Sequence, residues 1–208
     1  RSYERELRDV LQLQGDVAQA IAGEIEVTLS PANQARRRRV DPEAYQLYLQ
    51  GQYYWLKASR ESFPKAIQLF QKAIDKDPTY ALAYSGMANC YIFGGVNYIS
   101  PREAFPLAKA AAMKALELDD TLAEAYVSLS GIQLFYDWDW EACRKNVQHA
   151  LELNPNCLNA HVVHSYYLDL MEQHDGSLAE IKRALELDPL PIGILSSYFV
   201  PSSGDAAP

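Results

Sequence analysis

Histidines and cysteines are the side chains whose chemistry could serve a metal site or a nucleophile. His161 and His164 are three residues apart, a spacing that puts two imidazoles on one face of a helix as potential metal ligands. Ligand sets normally need further partners at characteristic spacings, so we expect hydrogen-bonded core or boundary histidines there. Cys90, Cys143 and Cys157 have no CxxC spacing and no histidine at a recognisable catalytic spacing. We therefore predict no metal site, no cofactor and no catalytic centre.

Two other features could bind phosphate. Gly94 and Gly95 lack the lysine and the third glycine of a phosphate-binding loop, so a flexible turn between helices is expected there. The RRRR run at residues 36–39 could contact an anionic surface, but four charges alone bind weakly, and we interpret the run as a solvated connector.

Charge and composition restrict the partners and the compartment. The net charge is −8, although residues 1–40 hold seven basic and six acidic residues, so the rest of the chain is strongly acidic and repels phosphate backbones. We predict no direct nucleic-acid binding. Three widely spaced cysteines favour a reducing, cytoplasmic location, and no apolar run reaches the ~18 residues of a membrane span. Because the chain opens with Arg1 rather than Met, we expect a piece of a longer protein.

Internal repetition supplies the elements that would position any functional residue. Four segments end alike: KAIDKDP at 72–78, KALELDD at 114–120, HALELNP at 149–155 and RALELDP at 183–189. Their alanines are separated by 42, 35 and 34 residues. Such periods indicate stacked helix-turn-helix units.

The residues around these alanines resemble the tetratricopeptide repeat (TPR) family. Small residues that let the first helix of each pair approach its partner are found at Gly51, Ala88, Ser130 and Ser165. Asp120 stands where the other units have proline. The remaining matching positions are Leu47, Tyr54, Ala66, Phe70, Ala73 and Pro78, then Tyr84, Met87, Tyr91, Ala108, Ala112 and Ala115, then Tyr126, Leu129, Cys143, Val147, Ala150 and Pro155, and finally His161, Leu168, Ile181, Ala184 and Pro189.

The resemblance implies an all-α fold, a right-handed superhelical solenoid of about four repeats with an extra N-terminal helix. Residues 1–40 would form an amphipathic helix, over about 4–27, and a basic linker that closes an upstream domain. The segment YERELRDVLQLQGDVAQAIA resembles the closing helix of the TolB-like domain of some bacterial signalling proteins. The expected repeats are 41–78, 79–120, 121–155 and 156–190, followed by an irregular tail at 191–208.

Departures from the repeat fall between the helices of a pair. The first repeat is longer by three residues around 59–62, and the second has a larger insertion near 94–101. There, Ser100, Pro101 and Glu103 predict a capping box, with a helix restarting at about 101. The third repeat has one extra residue near YDWDW, where we expect one of Trp138 and Trp140 to pack and the other to be partly exposed. An exposed tryptophan would be a candidate binding hot spot.

The resemblance also implies a concave groove lined by the first helices, which in this family binds extended or helical peptides. Chaperone-binding members clamp a C-terminal carboxylate with lysines and asparagines. Asn89 fits that pattern, but Tyr48 and Ser128 stand at lysine positions, so we predict no such clamp. The groove residues implied by the resemblance are Tyr48, Gln52, Ser85, Asn89, Val127, Gly131, Val162 and Tyr166.

The sequence thus predicts a non-enzymatic protein-protein interaction module that holds a protein or peptide within a larger bacterial signalling protein. Its output domain could be a winged-helix domain, a nucleotide cyclase or a protein kinase. Two alternatives remain open. One is self-association into a homodimer through Ile181, Leu185 and Ile192, and the other is small-molecule sensing in the tyrosine-rich groove.

Overall fold

The structure, a computed structural model, describes residues 40–57 and 59–188. The predicted N-terminal helix, the basic run at 36–39 and the tail at 191–208 lie outside the described residues. Between residues 40 and 188, the described chain forms helices and turns and contains no β-strand. A π-helical segment, Gln133–Asp137, lies between the fifth and sixth helices. The helices are α1 Pro42–Leu56, α2 Ser62–Lys76, α3 Ala81–Asn97, α4 Pro101–Leu118, α5 Ala123–Ile132, α6 Trp140–Leu153, α7 Leu158–Leu170 and α8 His174–Leu187.

These helices pack as four hairpins, α1 with α2, α3 with α4, α5 with α6 and α7 with α8, and each hairpin stacks on the next. The predicted all-α repeat solenoid is therefore confirmed. The core consists of four small clusters, two at the junction of the first two hairpins and one at each later junction, because every hairpin buries its apolar face against its neighbours.

One type of turn joins successive hairpins. At the first of these turns, the Asp77 carboxylate accepts hydrogen bonds from the backbone N–H of Thr79 at 3.0 Å and from its hydroxyl at 2.7 Å. Asp119 and Thr121 repeat both bonds at the second turn. An Asp or Asn that bonds the backbone two residues later fixes a tight reversal, so the repeated D-x-T sequence sets the stacking geometry.

An aromatic ring on the following first helix closes each of these turns. The Tyr84 hydroxyl donates to the Pro78 carbonyl at 3.2 Å, and the Tyr126 hydroxyl donates to the Asp120 carbonyl at 3.1 Å. At the third turn His161 takes the same role, with its Nε2 atom 3.0 Å from the Pro155 carbonyl oxygen. His161 is thus a structural substitute for tyrosine, in agreement with the core or boundary role predicted for it.

Phe70 on α2 is fully buried between α1 and α3, and two glycines make room for its ring. A Cβ atom at Gly51 would lie 2.7 Å from Phe70 Cε1, and one at Gly86 would lie 2.8 Å from the same atom. Real Cβ atoms do not approach so closely without displacing the ring. Gly51 was predicted as such a position from the sequence, whereas Gly86 was not.

The expected turn at Gly94 and Gly95 is wrong, because both glycines are buried within the last turns of α3. A Cβ atom at Gly95 would lie 2.9 Å from Phe105 Cε2 on α4, and one at Gly94 would lie 2.9 Å from Ile99 Cδ1. The insertion is absorbed by extending α3, and the glycines allow that extension to pack against α4.

The new helix α4 does begin at Pro101, as predicted, but the predicted capping box does not form. The Ser100 side chain makes no capping hydrogen bond, and the N–H groups of Glu103 and Ala104 bond to its backbone carbonyl instead. A reciprocal cap is found in the first hairpin, where the N–H of Ser62 donates to Ser59 Oγ at 3.2 Å and the N–H of Ser59 donates to Ser62 Oγ at 3.1 Å.

The chain between α7 and α8 reverses through Glu172, whose φ is 58°. The N–H of Gln173 bonds to the carbonyl of Leu168 at 2.8 Å, and the N–H of Glu172 bonds to that of Asp169 at 3.0 Å, which is the Schellman pattern. Glycine adopts this left-handed conformation without the steric cost that a Cβ atom adds.

We therefore expect Glu172→Gly to raise the free energy of unfolding by about 0.5–1 kcal/mol. Glycine removes the steric cost of the left-handed conformation in the folded state, and this gain exceeds the free-energy cost of the greater conformational entropy that glycine gives the unfolded chain. Urea denaturation measures the change. Ala179→Gly, at an exposed position within α8, is the matched control and should lower stability by ~1 kcal/mol. Destabilisation by both substitutions would contradict the assignment of strain to Glu172.

Candidate functional site

The four first helices form one continuous layer. α1 packs against α3, α3 against α5 and α5 against α7, whereas successive second helices make at most marginal contacts in the described part of the chain. An array whose first helices touch while its second helices diverge curves with the first helices on the inside. We call the surface of this layer that faces away from the second helices the inner face.

The eight predicted groove residues divide into two groups by burial. Ser85, Val127, Gly131 and Val162 are buried. These four residues are covered by the surrounding helices in this structure. The four half-buried members, which retain exposed surface, are Tyr48, Gln52, Asn89 and Tyr166.

Tyr48 is held firmly on α1. Its hydroxyl accepts a hydrogen bond from Gln52 Nε2 at 2.7 Å, and its ring packs edge-on against Tyr80 at 5.3 Å between centroids. Burial, with a smaller contribution from the nearby Glu124 carboxylate, raises the pKa of Tyr48 to about 12. The phenol therefore stays neutral at physiological pH and retains its O–H as a donor.

A polar network links the middle of the inner face across two hairpins. The Ser128 hydroxyl donates to Asn89 Oδ1 at 2.9 Å, and it lies 3.4 Å from the buried Ser85 hydroxyl. The Asn89 carbonyl is thereby oriented, and no other hydrogen bond of this side chain is present among the described residues. Its NH₂ group can still donate two hydrogen bonds.

The basic residues of the helices are all in one of the two helix layers. The first helices carry no lysine or arginine, and their acidic residues are Glu43, Glu124 and Asp169. The second helices carry all ten of the helical lysines and arginines, three each on α2 and α4 and two each on α6 and α8. Sequence analysis missed Glu124, although it precedes Val127 by three residues and so lies one turn earlier on the same face.

The histidines of α7 bind a carboxylate. Glu180 on α8 lies between them, with Oε2 2.5 Å from His161 Nδ1 and Oε1 2.9 Å from His164 Nδ1. Both ring nitrogens of His161 face oxygen atoms, since its Nε2 atom lies 3.0 Å from the Pro155 carbonyl oxygen. Among residues 40–57 and 59–188, no group of three or more His, Cys, Asp or Glu side chains is arranged to hold a metal ion.

The three cysteines are buried and free. Burial raises the pKa of Cys143 to about 12 and that of Cys157 to about 11, and it raises the pKa of Cys90 further. Because the thiolate is the reactive form, none of these thiols is poised as a nucleophile at neutral pH.

The two tryptophans of the third hairpin behave as predicted. Trp140 packs against the core of that hairpin, whereas Trp138 is 63% exposed and follows the π-helical segment with a φ of 56°. Trp138 lies in the turn from α5 to α6, away from the four half-buried groove residues on the first helices. None of the described helices is long and apolar enough to cross a membrane.

Comparison with known proteins supports the fold. A thermophilic TPR protein of Thermus thermophilus superposes with a TM-score of 0.56 at 18% identity, over 74% of this chain and 81% of that one. The first TPR domain of Spaghetti bound to an HSP90 peptide gives a TM-score of 0.47 at 23% identity, over 67% of this chain and 95% of that one. The TPR-type helical repeat is thus established on the first of these superpositions.

Sequence comparison adds one curated relative. It is a protein of Rhizobium meliloti (strain 1021) named as a candidate adenylate cyclase, which is 28% identical over 89 residues. The match spans 41% of this chain and 15% of that protein. No protein-family model matches the chain.

Proposed function

We propose that this chain is a non-enzymatic protein-interaction module that holds a peptide segment along its inner face. The observation that supports this proposal most directly is the layer of first helices, on which Tyr48, Asn89 and Tyr166 remain half-buried on the first, second and fourth hairpins. A curved array of this kind presents an extended surface that a peptide can follow from one repeat to the next.

The chemistry of this surface suits a polypeptide backbone. Each peptide residue offers one N–H donor and one C=O acceptor. The amide of Asn89 offers N–H donors, and the neutral Tyr48 phenol offers a hydroxyl next to an aromatic ring. Because these groups are already oriented by Ser128 and Gln52, binding would cost little side-chain entropy.

The test uses a library of random peptides selected for binding to the intact chain. We expect the double variant Tyr48→Ala/Asn89→Ala to weaken selected peptides at least ~10-fold, since a few half-buried contacts carry most of the energy of an interface. The matched control is Leu107→Ala/Met113→Ala, which removes two residues of α4 that are 50% and 58% exposed. Isothermal titration calorimetry gives the affinities, and circular dichroism checks that helicity is unchanged.

An equal loss of peptide affinity in both variants, or a loss only in the control, would show that peptides bind outside the inner face. Either result would contradict the proposal. Failure of the library to yield any binder would also count against it, because a module of this kind should accept some short segment.

For the parent protein, we infer a role in bacterial signalling, in the cytoplasm. The relative named as a candidate cyclase supports this inference, since the matched segment is a small part of a much longer protein. In such an arrangement, the module would bind a partner and an attached output domain would respond.

Self-association is a second candidate function, and one observation favours it. On α8, Leu178 and Leu185 are 54% and 40% exposed, and the half-buried Ile181 lies between them on the same face. Ile192, also predicted to take part, lies outside the described residues. Light scattering over a range of concentrations distinguishes a dimer formed through α8 from a monomeric module.

A further inference from the structure

The segregation of charge described above has a consequence for the partner. A ligand on the inner face would lie against helices without a single lysine or arginine, while the basic side chains are on the other layer. Two of the three first-helix carboxylates already have a nitrogen partner, since Glu43 pairs with Lys76 at 2.8 Å and Asp169 lies 2.8 Å from His174 Nδ1. The third carboxylate, that of Glu124, has no such partner within the described residues.

Glu124 is half-buried in the first turn of α5, the middle of the inner layer. Within the described residues its carboxylate forms no hydrogen bond and no ion pair, although a partly desolvated carboxylate gains from a cationic partner. Its charge helps to raise the pKa of Tyr48 on α1 and that of Cys157, the residue immediately before α7. The Glu124 carboxylate therefore lies in the central part of the inner face.

Aromatic rings add to the attraction for cations. Tyr48 and Tyr166 are half-buried on this face, and a tyrosine ring holds an ammonium or guanidinium group over its π surface. The chain already shows this contact at the end of α1, where Lys57 Nζ lies 4.4 Å from the centre of the Tyr53 ring. A cationic side chain near Glu124 would meet a carboxylate whose charge also reaches the Tyr48 phenol.

We propose that the inner face selects peptide segments that carry arginine or lysine, with Glu124 as the anchor for one cationic side chain. This inference rests on the proposed function and specifies its partner by chemistry. An acidic segment would meet the uncompensated charge of Glu124 with no lysine or arginine on the first helices to offset it, whereas a basic segment would neutralise that charge.

The experiment compares three short fluorescent peptides that alternate alanine with arginine, glutamine or glutamate. We expect the arginine peptide to bind best in fluorescence anisotropy, and to weaken as salt is raised from ~50 to ~300 mM because screening acts on exposed charges. Glu124→Gln should weaken it about tenfold, which is the loss expected for one partly desolvated charge pair. The glutamine peptide should respond little to the same substitution.

Glu103→Gln is the matched control. Glu103 also lies in the first turn of a helix, α4, and its replacement changes the net charge and the helix-dipole interaction by the same amount, but it lies in the outer layer. We expect this variant to bind all three peptides as the unaltered chain does.

Equal weakening by Glu124→Gln and Glu103→Gln would overturn the proposal, because it would show attraction to overall charge alone. Tighter binding of the glutamate peptide would also overturn it, while the proposed function would stand if Tyr48→Ala/Asn89→Ala abolished that binding. If none of the three peptides binds, the cationic preference is wrong, and the library selection described above decides the proposed function separately.

Discussion

Replacing Phe70 with alanine is expected to lower the free energy of unfolding by about 3–5 kcal/mol, the largest effect of any single substitution considered for this chain. The ring is fully buried and lies between Gly51 of α1 and Gly86 of α3, so its loss leaves a cavity at the junction of the first two hairpins. Backbone atoms on both sides limit how far that cavity can collapse. Urea unfolding followed by circular dichroism measures the change.

A double-mutant cycle tests the cause. Gly86→Ala alone should cost about 1–3 kcal/mol, because the new methyl group would lie 2.8 Å from the Phe70 ring. Combined with Phe70→Ala, the same substitution should cost little or even stabilise α3, since alanine is the better helix former by up to ~1 kcal/mol. Simple additivity of the two substitutions would show that the ring and the glycine are not coupled as the structure indicates.

Glu180→Ala should have the second largest effect, a loss of about 2–4 kcal/mol from two charge-assisted hydrogen bonds. The carboxylate joins His161 and His164 of α7 to α8, and the three side chains are between 10% and 21% exposed. Its removal leaves His161 Nδ1 without its carboxylate partner in a poorly solvated position. Because α8 is the outermost described helix, we expect amide hydrogen exchange to accelerate first in α8.

The matched control for this prediction is the other histidine–carboxylate pair of the last hairpin. Asp169 and His174 are 60% and 68% exposed, and exposed pairs contribute less than ~1 kcal/mol. Asp169→Ala should therefore barely change the urea midpoint. Similar losses in both variants would contradict the view that Glu180 fastens α8.

Much of the fold could be predicted from local signals. The start of α4 followed from Pro101, whose fixed φ suits the first helical position, and the room left for Phe70 followed in part from Gly51. Pro101 acts on its own helix, and Gly51 was identified by its position in the repeat. In contrast, the helical state of Gly94 and Gly95 depends on contacts with Ile99 and Phe105. These two side chains pack so closely that only residues without a Cβ atom fit at positions 94 and 95. Glycine in isolation indicates a turn, and tertiary contact overrides that preference.

The candidate site was less predictable for a similar reason. A repeat alignment gives the direction in which a side chain points, but not how closely successive first helices approach. Ser85 lies against Ser128, and a Cβ atom at Gly131 would be 3.7 Å from Ile92, so the layer is tight enough to bury half of the predicted groove residues. The unpaired state of Glu124 likewise emerges only when its neighbours in space are known.

The π-helical segment of the third hairpin accommodates a repeat that is one residue longer than the 34-residue period. In an α-helix each residue turns the chain by about 100°, so a simple one-residue insertion would rotate everything after it out of phase. Here the extra residue is confined to Gln133–Asp137, and Leu134 within it and Cys143 after it both remain in the same core. The residue that makes the third repeat longer than the 34-residue period is thus accommodated with the core contacts on both sides of it preserved.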